Sequence, residues 1–184
     1  RGVPVQVYGE HITGVVDRAV QNADAVGKYS TVPKEEFVRA VRDAALYHDL
    51  GKLGDHNQAV LSGRLRAKMI NHVDAGVAAL LVQQHHEAAM LVYSHHLGLP
   101  SLHKEAMKKE AFLRDIDIAQ DNDRALPAYL GKHQSASMPS VERGVKGTSG
   151  LSTLGRRLAF SCLVDGDHGD TAAHYRQATY GKPP

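Results

Sequence analysis

The stretch AALYHDLGKLGDHNQ places His48 and Asp49 next to each other at the end of an apolar run, with Gly51 and Lys52 shortly after them. Imidazole nitrogen and carboxylate oxygen are both common ligands of divalent metal ions. Because consecutive side chains of a helix point about 100° apart, both residues reach one ion only where the helix ends or faces a cavity. The pattern therefore indicates either a metal site or a core histidine that is hydrogen-bonded to its neighbour.

Histidine is abundant in this chain, which has 12 histidines against 3 phenylalanines and no tryptophan. The other histidines that lie at a predicted helix end or beside an apolar stripe are His11, His72, His95 and His96. The segment LVDGDHGD adds the carboxylates of Asp165, Asp167 and Asp170. Burying so many polar groups without partners costs roughly 1 to 3 kcal/mol each, and a bound cation removes that cost. The set therefore favours a metal centre.

Apolar residues recur at helical spacing and no run shows the alternation of a strand, so the predicted fold class is all-α. In VPKEEFVRAVRDAALYHDLGK, Pro33 suits the first helical position and Gly51 suits a stop. The apolar stripe of this helix consists of Phe37, Val41, Ala44, Ala45 and His48. The stripe predicts that His48 faces the core.

Four more helical segments follow from the same periodicity. One begins near His11, and another begins at about Asn71 and continues through HHEAAMLVYSHH until LGLPS breaks it after His96. Residues 105–122 have the pattern of an exposed, charged helix, and residues 153–170 that of a more apolar one.

The length of 184 residues suits a single domain that spans residues 1–184. Within it, residues 131–150 are rich in Gly, Ser and Lys without periodicity, which predicts a mobile surface loop. The tail YGKPP predicts the start of a linker after about residue 176.

Charge and cysteine content restrict the class of protein only loosely. The formal net charge of +2 is too small to indicate nucleic-acid binding by itself. The single cysteine, Cys162, has apolar neighbours, which indicates a buried thiol in a reducing compartment, and we expect a cytoplasmic protein. No apolar stretch approaches the ~20 residues that cross a bilayer, so no membrane association is expected.

Five motifs occur in order along the chain: His11, YHDLGKLGDHNQ, His72, SHHLGLPS and RLAFSCLVDGDHGDTA. Together they resemble the HD-domain metallophosphohydrolase superfamily, and within it the nuclease domain of the CRISPR-associated nuclease-helicase of type I systems. The second, fourth and fifth motifs resemble that family's HDxGK, HHxGLP and SxLxDADxxDT. The motifs span residues 11–171, nearly the whole chain. The resemblance implies an HD-type helical bundle around a central metal site.

The resemblance also implies that two divalent metal ions occupy this site. One ion would bind to His11, His48, Asp49 and Asp167, and the other to Asp49, His72, His95 and His96. Asp49 would bridge the two ions. Nitrogen ligands favour Mn, Fe, Co, Ni or Zn over Mg on affinity grounds, and Mg stays an alternative because availability also decides which ion is bound.

Two ions about 3.5 to 4 Å apart can activate water and stabilise the entering and leaving oxygens of an attack on phosphorus. The expected reaction is therefore phosphodiester hydrolysis, with His48 and Asp49 as catalytic ligands. Lys52, one turn after Asp49, is expected to contact a phosphate oxygen. The alternative for Lys52 is a solvated position at a helix end, where it complements the helix dipole.

Helical spacing does not decide which aspartate of the last motif is the metal ligand. By resemblance it is Asp167, which occupies the place of the family's Ala-Asp pair, although Gly166 replaces the alanine there. Asp165 therefore stays the alternative. Asp170 is expected to cap or brace its helix.

The remaining histidines are not expected to be ligands. His85 and His86 form a second pair, but they lack the Gly-Leu-Pro turn that follows His96, so we expect them at the surface or beside the site. The others lie among polar neighbours and are His56, His103, His133, His168 and His174.

By resemblance, the substrate is single-stranded DNA that becomes exposed when a crRNA-guided surveillance complex opens a duplex. The sequence contains no G-x-x-x-x-G-K-[ST] motif, so the motor would belong to a helicase domain or a helicase subunit. In so aromatic-poor a chain, platforms for base stacking are not obvious. Basic residues for a backbone groove, or merely for a solvated face, are Lys104, Lys108, Lys109, Lys132, Arg143, Lys146, Arg156 and Arg157.

Two other functions stay open. The first is an HD phosphohydrolase that acts on nucleotides or cyclic dinucleotides, for which the chain would need a closed pocket that recognises the base. The second is a non-catalytic docking module that a metal stabilises and that binds a helicase or a surveillance subunit without cutting.

Overall fold

The computed structural model describes residues 6–144 and 150–175, and within them the chain forms α-helices and no strand, which confirms the all-α prediction. The helices are α1 (Tyr8–Val26), α2 (Lys34–Tyr47), α3 (Asp55–Leu61), α4 (Val73–Val82), α5 (His86–Ser94), α6 (Leu102–Ala106), α7 (Ala119–Ser135) and α8 (Thr153–His174). None of them combines the length and the hydropathy that a bilayer-crossing helix needs.

The core lies where the long helices α1, α2 and α8 pack against one another and where α2 also contacts α4 and α5. The predicted apolar stripe of α2 is confirmed, because all five of its residues, Phe37, Val41, Ala44, Ala45 and His48, are 0% exposed. The predicted helices near His11 and over residues 153–170 are confirmed as α1 and α8. These helices fix the buried side of the site.

The end of α2 lies directly against the start of α4. A 3-10 turn, Leu50–Leu53, follows Asp49, and in it Gly51 donates its N–H to the carbonyl oxygen of His72 at 3.2 Å. A Cβ atom at Gly51 would collide with the backbone of His72. Glycine at this position therefore allows His72 to lie beside the turn that carries Asp49.

The continuous helix predicted from Asn71 to His96 is wrong, because the chain forms two helices there. Gln84 has a left-handed backbone with φ of 64° and separates α4 from α5. The two helices pack against each other, which brings the start of α4 near the end of α5. His72 and His95 lie at those two ends and therefore come together.

The exposed helix predicted over residues 105–122 is also wrong. After α6, Lys109 and Leu113 have positive φ values of 51° and 56°, and α7 begins only at Ala119. The physical reason is a buried ion pair: Arg114 turns inward and binds both carboxylate oxygens of Asp74 at 2.8 and 2.9 Å. The periodicity of a local segment cannot predict a contact between residues that are so far apart in sequence.

The loop predicted from residue 131 begins later, because α7 continues to Ser135. Part of the following segment packs on the core: Val141 is buried, and its N–H donates to the Tyr47 hydroxyl at 3.1 Å. Residues 145–149 of the predicted loop and the predicted linker after about residue 176 lie outside the described residues.

Candidate metal centre

Three of the predicted ligands are oriented by hydrogen bonds from Nδ1. In His48 and His95, Nδ1 donates to the carbonyl oxygen three residues earlier, at 2.8 and 2.6 Å. In His11, Nδ1 donates to Asp170 Oδ2 at 2.9 Å. The lone pair of each neutral imidazole is then on Nε2, as in metal-binding histidines whose other nitrogen is hydrogen-bonded.

His11, His48 and Asp167 form what we call the inner cluster, since their ligand atoms all lie within 4.8 Å of one another. They come from α1, the end of α2, and α8. Asp167 Oδ1 lies 3.4 Å from His11 Nε2 and 3.8 Å from His48 Nε2. All three residues are buried, so a cation here would be largely removed from solvent.

His72, His95 and His96 form what we call the outer cluster, whose ligand atoms also lie within 4.8 Å of one another. The Nε2 atoms of His72 and His96 are 3.0 Å apart. His95 is buried whereas His96 is exposed. The outer cluster therefore consists of imidazoles alone and reaches the surface.

Asp49 lies between the two clusters. Its Oδ2 is 3.2 Å from His11 Nε2, and its Oδ1 is 3.3 Å from His72 Nε2. The side chain is only 1% exposed. Each carboxylate oxygen thus faces a different cluster, which is the arrangement that a ligand shared by two ions requires.

The two clusters differ in electrostatics. Burial opposes protonation of His11, but Asp167 and Asp49 raise the pKa of His11 to about 10. Burial opposes ionisation of Asp49, but the neighbouring histidines, His48 first, keep its pKa well below the usual range. By contrast, burial and the nearby His48 lower the pKa of His95 to about 3. The inner cluster attracts positive charge, while His95 offers a neutral imidazole.

A divalent cation fits the donors that this centre presents. The Nε2 atoms of His11, His48 and His95 are buried and make no hydrogen bond to any described residue. Leaving such atoms unsatisfied is unfavourable in an interior, and metal coordination satisfies them. The mixed nitrogen and oxygen donors suit first-row transition metals better than Mg.

Lys52 lies at the centre but contacts a protein group. Its Nζ forms an ion pair with Asp49 Oδ2 at 2.5 Å, and its side chain is 29% exposed. The residue is therefore neither fully solvated nor remote from the ligands. A phosphate oxygen that approached from the cavity beside His11 and Asp49 would meet this amine, since Lys52 lines that cavity.

Of the two candidate aspartates, the structure places Asp167 in the centre, whereas Asp165 is exposed on α8. The sequence predicts that Asp170 caps or braces its helix. In the structure its Oδ2 accepts from His11 Nδ1 of α1 and from Gln6 Nε2 at 2.8 Å, so it braces α8 against α1 and does so through a metal-ligand candidate. Asp170 follows Asp167 by three residues and thus lies on the same helix face. That spacing was the available signal for its role.

The remaining histidines lie outside both clusters. His86 is exposed, while His85 lies 3.2 Å from Asp43 Oδ2 and donates to the Glu142 carbonyl at 2.6 Å. His133 has polar neighbours in sequence but is fully buried. Its Nδ1 accepts a hydrogen bond from Tyr8 Oη at 2.9 Å. No local pattern indicated that burial, because it arises from contacts with the rings of Tyr8 and Tyr47, which are distant in sequence.

Several residues proposed for a basic groove already have partners. Arg156 binds Glu87 through two hydrogen bonds of 3.0 and 2.7 Å, and Lys132 binds Asp55 at 2.6 Å. Lys108 pairs with a carboxylate as well. Lys146 lies outside the described residues. These pairs reduce the positive charge that the described surface offers to a nucleic-acid backbone.

A family model of the HD domain matches residues 8–124, about two thirds of the chain. The chain therefore belongs to the HD domain family, whose members are typically metal-dependent phosphohydrolases. The matched range contains six of the seven predicted metal ligands, and Asp167 on α8 lies beyond it. No curated protein and no solved structure matched the chain.

Proposed function

We propose that this protein is a nuclease that hydrolyses phosphodiester bonds of single-stranded DNA with two divalent metal ions. The inner cluster with Asp49 would hold one ion, and the outer cluster with Asp49 the other. The observation that carries this proposal is the position of Asp49. One of its oxygens faces the buried Nε2 atoms of His11 and His48, which make no hydrogen bond to a described residue, and its other oxygen faces His72 Nε2. When bound, such ions activate water and stabilise charge on phosphate oxygens.

The protein's own groups would position these components. The backbone carbonyls behind His48 and His95, and the Asp170 carboxylate behind His11, fix each ring with Nε2 toward the centre. Lys52 places a positive charge next to Asp49 on the side of the cavity. This charge would pair with a phosphate oxygen of the substrate and orient the phosphorus for attack.

Support for single-stranded DNA comes from the five motifs, which resemble the nuclease domain of type I CRISPR nuclease-helicases. On that resemblance we propose that the chain acts in the cytoplasm, beside a helicase domain or subunit and a crRNA-guided surveillance complex that exposes the strand. A cavity of about 460 Å³ leads to His11 and Asp49 and is bounded by the hydroxyl and amide groups of Ser62 and Gln58. A sugar-phosphate backbone that entered this cavity would meet Lys52 and the metal ligands, as binding without base readout requires.

The test combines metal analysis with digestion of end-labelled single-stranded DNA in Mn²⁺ or Ni²⁺. We expect the wild type and the control His86→Ala, an exposed histidine on α5, to cleave. We expect His48→Ala and Asp49→Ala to lose cleavage while circular dichroism shows unchanged helix content. Equal cleavage by all four proteins would reject the proposed centre.

The same experiment separates the alternatives. Hydrolysis of dNTPs or cyclic dinucleotides, with single-stranded DNA left intact, would identify a nucleotide phosphohydrolase. Metal bound at the centre without hydrolysis of any of these substrates, together with binding to a helicase or surveillance subunit, would identify a docking module. Either outcome would contradict the proposed nuclease.

A further inference from the structure

A second cavity, of about 340 Å³, opens beside the outer cluster, and we call it the outer cavity. His72 and His96 form part of its wall, so it is continuous with the candidate metal centre. Apolar side chains, among them Ile70 and Leu97, and the aromatic Tyr93 form much of the rest. A volume of this size lies within the range of about 300 to 1,000 Å³ that is usual for small-molecule sites.

The charges around the outer cavity are unfavourable for phosphate. Among the described residues that line it, none is a lysine or an arginine, and two are the acidic Asp74 and Asp115. The carboxylate of Asp74 is neutralised by Arg114, which binds it with two hydrogen bonds. Away from the metal ligands, the wall of this cavity therefore suits an uncharged group with a large apolar surface better than an anion.

The cavity beside the inner cluster, which we call the inner cavity, differs in that a lysine contributes to its wall. It is lined by His11, Asp49 and Lys52, by the polar side chains of Gln58 and Ser62, and also by apolar side chains. It shares no described lining residue with the outer cavity. A ligand that fills both cavities thus needs a charged, polar part at one cluster and an uncharged, apolar part at the other.

We propose that the outer cavity binds one nucleobase of the substrate, next to the phosphate that the metal centre cleaves. This proposal rests on the single-stranded DNA substrate proposed above and adds where the strand lies. A nucleobase is flat, uncharged and largely apolar on its faces, as the outer cavity requires, while the sugar-phosphate backbone continues toward Lys52 in the inner cavity. The aromatic platform that the sequence did not reveal is Tyr93.

Tyr93 is oriented in a way that suits this role. Its hydroxyl group donates to Glu105 Oε1 and accepts from Lys108 Nζ, each at 3.3 Å. These bonds fix the ring at the cavity wall, so little further ordering is needed when a base binds. Base stacking on one aromatic side chain contributes about 1 to 3 kcal/mol, which corresponds to at least about a fivefold change in affinity.

The test measures binding of a trinucleotide whose middle base is the fluorescent analogue 2-aminopurine. We expect quenching by the wild type, both with Mn²⁺ and in EDTA, where no cleavage occurs. Tyr93→Ala should raise the dissociation constant of this trinucleotide at least about fivefold. A trinucleotide with an abasic middle residue should bind to the wild type and to Tyr93→Ala with equal affinity. The matched control is Tyr29→Ala. Tyr29 is exposed and lines neither cavity, and Lys28 lies over its ring as Lys108 lies over the ring of Tyr93.

A second variant guards against misfolding of Tyr93→Ala. Ile70 is 47% exposed at the outer cavity, so Ile70→Glu should fold and still weaken trinucleotide binding. Absence of quenching, equal affinity of Tyr93→Ala and the wild type, or an equal loss in Tyr29→Ala would overturn the proposal. Cleavage of DNA without any effect of base removal would leave the nuclease function intact and reject the base site. Base-dependent binding without cleavage would support the base site and reject the nuclease function.

Discussion

The inner and outer clusters contain the same type of imidazole ligand in different surroundings. The inner cluster lies among the long, mutually packed helices α1, α2 and α8 and includes the carboxylate of Asp167. The outer cluster lies at the ends of the shorter helices α4 and α5, contains no carboxylate of its own and includes the exposed His96.

This difference indicates a division of roles within one centre. Helices that are packed along their length fix the inner ligands. The negative charge of the Asp167 carboxylate among these ligands favours a cation. The outer cluster depends on Asp49 for its only carboxylate and borders an apolar cavity, so it is the side at which a substrate group can approach. Asp49 is the residue that connects the two clusters.

The largest expected effect follows from removing this shared residue. Asp49→Ala deprives both clusters of a ligand, so metal binding should be lost at both. The rate of hydrolysis should fall by more than the roughly 100-fold that loss of a partner orienting one ligand can cause. Kinetic assays and metal analysis check this result, with Asp165→Ala, an exposed aspartate of α8, as the control. Retention of two ions by Asp49→Ala would disprove its bridging position.

Removing a ligand from one cluster should have a smaller and more selective effect. His48→Ala should lose the inner ion and His96→Ala the outer one, so each variant binds one equivalent of Mn²⁺ instead of two. Equilibrium dialysis gives the stoichiometry, and electron paramagnetic resonance shows whether the coupling between two Mn²⁺ ions disappears. If either variant lost both ions or kept both, the two clusters would not bind their ions independently.

An intermediate effect is expected for Asp170→Asn. The amide can no longer accept the His11 Nδ1 proton with a full negative charge, so His11 is oriented less firmly. Metal affinity at the inner cluster should fall by about 10- to 100-fold, while the outer cluster should change little. Titration calorimetry with Mn²⁺ measures this, against Asp165→Asn. Equal affinities for wild type and Asp170→Asn would show that Asp170 does not support the inner cluster.

The smallest expected effect concerns the packing behind the inner cluster. Burial lowers the pKa of His133, so the folded protein binds this proton less readily than the unfolded chain does. Stability from the neutral ring is present above the unfolded pKa of about 6.5 and is lost as pH falls below it. Urea unfolding between pH 7 and 5 should therefore show a shallower decline for His133→Gln than for wild type. Parallel declines would show that His133 is not the responsible group.

Much of this centre was predictable from the sequence because each ligand lies at a helix end or on a helix face. Six of the seven predicted ligands form the two clusters and Asp49 lies between them, and the buried stripe of α2 correctly predicted that His48 faces inward. The preference for Asp167 over Asp165 rested on resemblance, since helical spacing alone left both possible. The structure brings only Asp167 next to His11 and His48.

The features that escaped prediction depend on contacts between distant segments. The break in the predicted helix over residues 105–122 comes from the pair between Arg114 and Asp74, which are 40 residues apart. The orientation of His11 depends on Asp170, 159 residues away. A one-dimensional pattern contains the spacing within one helix but not the partner that another helix provides.

The central claim is that Asp49 joins two metal sites, and anomalous diffraction from a crystal grown with Mn²⁺ tests it most directly. The predicted result is two manganese peaks about 3.5 to 4 Å apart, one at the inner and one at the outer cluster, with Asp49 contacting both. A single peak, or two peaks of which only one contacts Asp49, would contradict it.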